Sequence, residues 1–258
     1  MIETLLSSEF VPAQLMATLK KLDTTLNIHR LIETLQKNTA NPDRASQSAT
    51  IMKVTNLHTG TLVLHCNEHG NISLKAPDSA RASPLLYSVP GKSFLFAINH
   101  QSFPVQLYER QLDQLIPAQK ITVDSDNPLF IDGAMNLFDT NPEGVGHQAF
   151  VGSINLPDRG KDIDVFDRHS LRKIAWFPHD DSAARYLVSL ELLEAVDDPQ
   201  AAKVAEELIY HYHPAVAWKA FQVIQNVDPI AAQRHVPLLR KLQHTRLNYL
   251  LDQQGAAA

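Results

Sequence analysis

The chain has 258 residues, 44% of them hydrophobic, and a formal net charge of −5 with its twelve histidines counted as neutral. This composition excludes a disordered chain, and the acidic balance argues against nucleic acid or an anionic membrane as the main partner. A single cysteine, Cys66, excludes an intrachain disulfide and any multi-thiolate zinc site.

The length allows two modules. No run of about 18 apolar residues offers a membrane span. The first ten residues have neither a basic start nor a sustained apolar stretch, so no signal peptide and a cytoplasmic setting are expected. Residues 12–37 carry two helical stripes, Leu15, Leu19 and Leu22, then Ile28, Leu31, Ile32 and Leu35, separated by the capping residues Asp23-Thr24-Thr25. Residues 38–48 are polar and rich in helix breakers, which predicts a linker or exposed loop.

From Thr50 to Phe177 the periodicity is that of strands. Thr61 to Leu64 and Ile72 to Leu74 alternate around the polar run Asn67-Glu68-His69-Gly70-Asn71, which predicts a hairpin between Gly60 and Lys75 with its turn inside 67–71. Ser93 to Ile98 is apolar on both faces, as in a covered central strand. Pro104 places Phe103–Tyr108 at a strand start or an edge. Phe150–Leu156 and Asp162–Phe166 are further strands, with Asp162 and Asp164 expected on a solvated edge.

From Ser182 the pattern is helical. Pro199, Pro214 and Pro229 recur every 15 residues behind Asp198, His213 and Asp228, each a helix-start signal. The phase buries Leu190, Leu193, Leu208, Val216, Ala220 and Ile224 and leaves Glu191, Glu194, Glu207 and Lys219 in water. Pro237 is expected to split the fourth helix near Val236. The spacing, with Asp197-Asp198-Pro199, His213-Pro214-Ala-Val216-Ala-Trp218-Lys-Ala220 and Asp228-Pro229, resembles the short HEAT-like repeats named after phycobilin lyases, although Ala217 stands where that family carries Arg. The resemblance implies stacked helix pairs that present a groove to a protein or peptide. Tyr210, Tyr212 and Trp218 are the candidate partner-binding residues, with a structural role for Tyr210 to His213 at a helix C-terminus as the simpler reading.

Two motifs compete for the hairpin. His65-Cys-Asn-Glu68-His69 matches the His-x-x-Glu-His pattern of inverted-motif zinc peptidases, with Glu143 downstream as a third ligand. That chemistry needs a helix. On a strand the two histidines would stand about 13 Å apart, too far to share one metal. Gly60, His65 and Glu68-His69, together with Pro90-Gly91-Lys-Ser-Phe94, are instead similar to the two cupin motifs. Phe94 occupies the second motif's histidine position, so His100 would have to take its place on a shifted register. The cupin resemblance implies a jelly roll and a mononuclear site of His65, His69 and His100, with Glu68 as the catalytic carboxylate and a divalent metal such as Fe(II), as in a non-haem iron oxygenase.

Weaker signals fall away on chemistry. Asp124-x-Asp126-Asn127 lacks the glycine that a calcium loop needs. Asp167, His169 and Ser170 are too close in sequence to form a triad, and no nucleophile elbow exists. The expected architecture is α+β: N-terminal helices and linker over 1–48, a β-sandwich of jelly-roll type over 49–178, and a helical HEAT-like domain over 179–258. Its expected function is that of a protein- or peptide-binding scaffold, with the cupin-type metalloenzyme as the alternative.

Overall fold

The computed structural model describes residues 2–6, 11–39, 54–56, 60–77, 83–144, 146, 148–158, 161–178 and 180–256. The expected linker therefore lies, apart from its first two residues, outside the described residues. The chain is α+β, with three antiparallel sheets and, among the described residues, seven α-helices at its two ends. It divides into two units, Met1–Arg159 with Asp164–Ala175, and Gly160–Ile163 with Trp176–Ala258.

The first unit opens with a 3₁₀ turn, Ile2–Leu5, and helices α1 (Pro12–Leu19) and α2 (Thr24–Thr39). Pro12 sits at the first position of α1, where its missing N–H costs nothing. The Asp23 carboxylate accepts from the Leu26 N–H at 2.8 Å at the start of α2. Among the described residues twelve strands follow: β1 (Thr55–Asn56), β2 (Thr61–Asn67), β3 (Gly70–Lys75), β4 (Leu85–Tyr87), β5 (Gly91–Ala97), β6 (Phe103–Gln111), β7 (Gln114–Val123), β8 (Leu129–Asp132), β9 (Asn136–Asp139), β10 (Val151–Pro157), β11 (Ile163–Asp167) and β12 (Lys173–Phe177). The sheets run β1-β2-β3-β10-β5-β8, β7-β6-β9 and β12-β11-β4.

The pairs β6·β7, β5·β8 and β3·β10 nest inside one another, as a single long hairpin does when it is rolled up. This is the jelly-roll arrangement. Its large sheet is covered on both faces. On one face Ile72, Leu74, Phe94, Phe96, Ile98 and Ile154 share a core with Leu15, Leu19, Ile28 and Leu31 of the N-terminal helices. On the other, Leu95, Ala97, Ile131 and Val151 meet Phe103, Val105, Leu107 and Val123 of the small sheet. The run Phe94-Leu95-Phe96-Ala97 is apolar at every position because each successive side chain enters a different core. Gly152 lies opposite Phe96, and a Cβ there would stand 2.3 Å from the Phe96 ring, so the strand needs glycine for packing rather than for its backbone angles.

Pro104 does belong at the start of a strand. It pairs with Thr122 of β7, while β9 joins β6 only from Gln106 onward, so no ladder bond is lost. Asp164 departs from the expected solvated edge. It is buried and ion-paired with Arg110 and, at 2.6 Å, with Lys173; nearby, Arg168 pairs with buried Asp139. Strand β11 and the turn after it are thus tied to β6 and β9 by charge.

The second unit holds α3 (Asp181–Ala195), α4 (Ala201–Leu208), α5 (Pro214–Val227), α6 (Pro229–Arg240) and α7 (Thr245–Ala256). The polar–Pro starts behave as their chemistry requires for α5 and α6. The His213 ring nitrogen Nδ1 accepts from the Ala215 N–H at 3.2 Å, and the Asp228 carboxylate accepts from the Ile230 and Ala231 N–H groups at 3.0 Å. Helix α5 packs against each of the other four and buries eight residues, including Val216, Trp218, Ala220, Phe221 and Ile224. Pro237 does not split its helix. It sits inside α6, one turn from the end, and the carbonyl it leaves unpaired belongs to exposed Gln233. Leu193 and Leu208 are half-buried rather than buried. Glu194 and Lys219 are not free in water either, because they form an ion pair at 2.6 Å.

Leu190→Ala and Ile224→Ala should each cost about 2–5 kcal/mol through the cavity left in a closed core, while exposed Glu191→Ala should cost less than about 0.5 kcal/mol. Denaturant titration of the three variants checks the helical phase; equal losses for Leu190 and Glu191 would show it to be wrong.

Candidate functional site

The hairpin β2–β3 forms as its alternation dictates, with Glu68-His69 as its two-residue turn, so the helix that a zinc-peptidase motif requires is absent from this segment. The turn is held by Asn67. Its side-chain oxygen accepts from the His69 and Gly70 N–H groups at 2.9 and 3.1 Å, and its amide donates to the Leu6 carbonyl at 3.0 Å. His69 stands 3.5 Å from the exposed Glu68 carboxylate.

The register explains why the cupin-type ligand set does not assemble. A bulge between Val63 and His65 sets two residues, Leu64 and His65, against Ile72. Ile72 faces the N-terminal helices, so His65 is turned to that side, away from the barrel interior. His69 lies at one end of the sheet, beside the Asn155–Ser93 row, and His100 follows Ala97 at the other end. The length of β5 alone separates those ends by about 20 Å, and two to three strand spacings add about 10–14 Å sideways. His100 is exposed, in a left-handed turn with Asn99 (φ 54° and 56°). Among the described residues no three His, Cys, Asp or Glu side chains are gathered so as to hold a metal ion. His65, His69, His100 and Glu68 therefore do not fit an Fe(II) centre. The acidic run at Asp124 is an Asx turn: its carboxylate accepts from the Asp126 and Asn127 N–H groups at 2.9 and 2.8 Å.

In place of a metal centre, the barrel face of the large sheet carries a ladder of amides and hydroxyls. Asn155 donates to Asn71 at 3.0 Å and to Ser153 at 3.2 Å, and accepts from Ser93 at 3.0 Å; the Ser73 and Ser153 hydroxyls meet at 2.7 Å. These residues occupy the rows next to the apolar Val151–Ala97 row, so one end of the barrel interior is polar and the other greasy. The sequence signal was the alternation Asn71-Ile-Ser73-Leu-Lys75, whose polar positions proved to face inward. Each ladder group is already hydrogen-bonded, and buried polar groups so paired serve first to fix register.

The partner-binding candidates separate cleanly in the helical unit. Trp218 is only 9% exposed and stacks on Phe221 at 5.4 Å between ring centres, inside the unit's core. It is a packing residue and not a docking anchor, because its helix turns that face to its neighbours. Tyr210 and Tyr212 are 68% and 65% exposed. The Tyr212 hydroxyl donates to Asp180, and its ring stacks on His211 at 4.4 Å. His211 meets the edge of exposed Tyr186 at 5.2 Å, and Tyr210 meets His235 at 6.3 Å. Sequence reasoning missed Tyr186, which comes from α3 and joins the patch only through folding. Beneath the patch the His213 Nε2 atom lies 3.0 Å from the Asp162 carboxylate, and the His213 N–H donates to the His211 ring at 3.0 Å. The bond from Tyr212, followed by the Ser182 N–H, holds the Asp180 carboxyl below its usual range, and the same bond raises the Tyr212 hydroxyl. Burial, and then the neighbouring His213, push His211 down.

No protein-family model matches the chain, and no curated protein matches it. Among solved structures, it is similar to a hydroquinone 1,2-dioxygenase determined with Cd²⁺ and 4-hydroxybenzonitrile, at 6% identity and a TM-score of 0.28; the match covers 38% of this chain and 64% of that one. A TM-score of that size carries no argument about this chain. The likeness to HEAT-like repeats consequently rests on the sequence spacing alone. Among the described residues no helix is long and apolar enough to cross a membrane.

A histidine whose folded pKa is depressed contributes stability that is present above its unfolded value, about pH 6.5, and is lost as pH falls through the folded value. The wild-type melting temperature should therefore drop on going from about pH 7.5 to 5.5, and His211→Asn should make that drop smaller. Thermal melts of both proteins across this range check it; parallel curves would remove His211 as a cause.

Proposed function

We propose that the chain is a binding protein that holds a peptide segment of a protein partner against the tyrosine patch of its helical unit. The observation that carries this reading is the exposure of Tyr186, Tyr210 and Tyr212 in one unit, with the Tyr186 and Tyr212 rings packed against His211 and Tyr210 against His235. Aromatic side chains fixed in this way bury large area at little loss of rotamer freedom, and tyrosine concentrates binding energy at interfaces. The turn that presents Tyr210 and Tyr212 is anchored by the His213 cap of α5. The spacing of the helix starts favours a scaffold of stacked helices of the HEAT-like kind, with the jelly roll as its second module. Cys66, the one cysteine, is exposed and needs no oxidising compartment, which fits a cytoplasmic setting.

The cupin-type enzyme reading has no such support, since its ligands face different ways. Protein purified from unsupplemented cells should hold no stoichiometric divalent metal, and chelator should leave its melting temperature unchanged; one bound ion per chain, lost in His65→Ala, would reinstate it.

Selection of a displayed random-peptide library on the purified protein tests the binding reading. Enriched peptides should lose more than about tenfold in affinity against a Tyr210→Ser/Tyr212→Ser variant that melts like the wild type. No enrichment, or equal affinity for the variant, would overturn it.

A further inference from the structure

The helical unit also leaves an apolar helix face exposed. Helices α3 and α5 run parallel, since Tyr212, just before α5, reaches Asp180 at the start of α3, while Lys219 and Asn226 of α5 reach Glu194 in its last turn. Glu194 thus marks the side of α3 that faces α5. Leu192, two residues earlier, lies about 200° round the helix, on the opposite side. Val188 and Val196 flank it at spacings of four, and in chain order the three are 63%, 61% and 62% exposed. We propose that this face pairs with the same face of a second copy of the chain, antiparallel, about a two-fold axis beside Leu192.

A helix on the outside of a protein normally turns a polar face to water. The end helix of a stack does so most strictly, because an apolar outer face invites a further layer. Helix α3 is the first of this unit. Ala183, Leu187 and Leu190 enter the core on one side, while Val188, Leu192 and Val196 occupy the other. The helix is therefore apolar on two opposed faces, and among the described residues only one of them meets a core.

The charges at the two ends of the stripe select the occupant and its direction. Arg185 lies one turn before Val188, and Asp197 directly follows Val196. Both are exposed, and among the described residues neither side chain has an ion-pair or hydrogen-bond partner. The stripe is thus positive where it begins and negative where it ends. A parallel copy would set like charge against like. An antiparallel copy sets Arg185 of each chain near Asp197 of the other, Val188 on Val196, and Leu192 on itself. Along the axis Arg185 is about 10.5 Å from Leu192 and Asp197 about 7.5 Å, a mismatch that an arginine side chain spans. Such self-complementarity is what a two-fold interface requires. Exposed Glu191 points about 100° to one side of Leu192 and clears the axis. Tyr186 lies about a third of a turn off the stripe, so the tyrosine patch stays open to its own partner.

Sedimentation equilibrium of the full chain at low salt, from about 1 μM to 1 mM, tests the proposal. One helix face is smaller than the roughly 800 Å² per partner of a standard interface, so the mass should rise from one chain toward two with a Kd on the order of 100 μM. Leu192→Glu sets two carboxylates against each other on the axis and should weaken the dimer at least about tenfold. Its site is exposed, so folding is not at risk. Arg185→Glu sets a carboxylate against Asp197 and should weaken it about fivefold or more. Arg185→Glu/Asp197→Asn removes that repulsion and should dimerise more tightly than Arg185→Glu alone; asparagine also tolerates the left-handed backbone at 197, where φ is 51°. A single-chain mass at every concentration, a dimer that Leu192→Glu leaves intact, or no recovery in the double variant would each overturn the proposal. Tyr210→Ser/Tyr212→Ser should associate as the wild type does, so this face and the tyrosine patch can fail separately.

Discussion

The register across β3, β10 and β5 is the constraint on which the first unit depends. Ile72, Ile154 and Phe94 form one cross-strand row, and Ser73, Ser153 and Leu95 form the next. The first row enters the core made with the N-terminal helices, and the second faces the barrel. A slip of one residue would send serines into the helix-covered core and isoleucines into the polar ladder, so both covers oppose it at once. The ladder from Asn71 to Ser93 reinforces the choice, because its amides and hydroxyls can satisfy one another only in this pairing.

The same constraint decides what became of the chemistry suggested by the hairpin. A histidine in β2 would face the barrel if the strand alternated without interruption from Val63. The bulge inserts one residue and reverses the phase, and His65 goes to the helix side. Letter patterns register spacing along the chain, but a bulge changes facing without changing a single letter. That is why His65, His69 and His100 looked like a ligand set in one dimension and are dispersed in three.

Elsewhere the sequence was legible where local physics dominates. Alternation marked the β2–β3 hairpin and the doubly covered β5, and polar–Pro pairs marked the starts of α5 and α6, where His213 and Asp228 do the capping. It failed where the outcome depends on partners far along the chain. Asp164 reads as a surface residue until Arg110 and Lys173 arrive beside it. Trp218 reads equally as anchor or mortar until four helices have closed around α5. Pro237 reads as a breaker, yet one missing bond near a solvated helix end is a small loss against the packing of Leu239 in the core of the helical unit. Tyr186 carried no signal at all, because its membership of the aromatic patch is created by the fold.

The nesting of the strand pairs also orders their formation. Beta strands β6 and β7 meet across a turn of two residues, Leu112-Asp113, whereas Lys75 and Val151 must close a loop of roughly 75 residues. On loop-closure entropy alone the outer pair starts about 3 kcal/mol behind the inner one. Each inner pair that zips shortens the loop facing the next, so β5·β8 brings the ends of β3 and β10 together for the following step. The entropy of chain closure thus falls due in small instalments from the β6–β7 tip outward. Until the last of them, the face of Phe94 and Phe96 waits uncovered, and the N-terminal helices hold the apolar surface that shields it among the described residues.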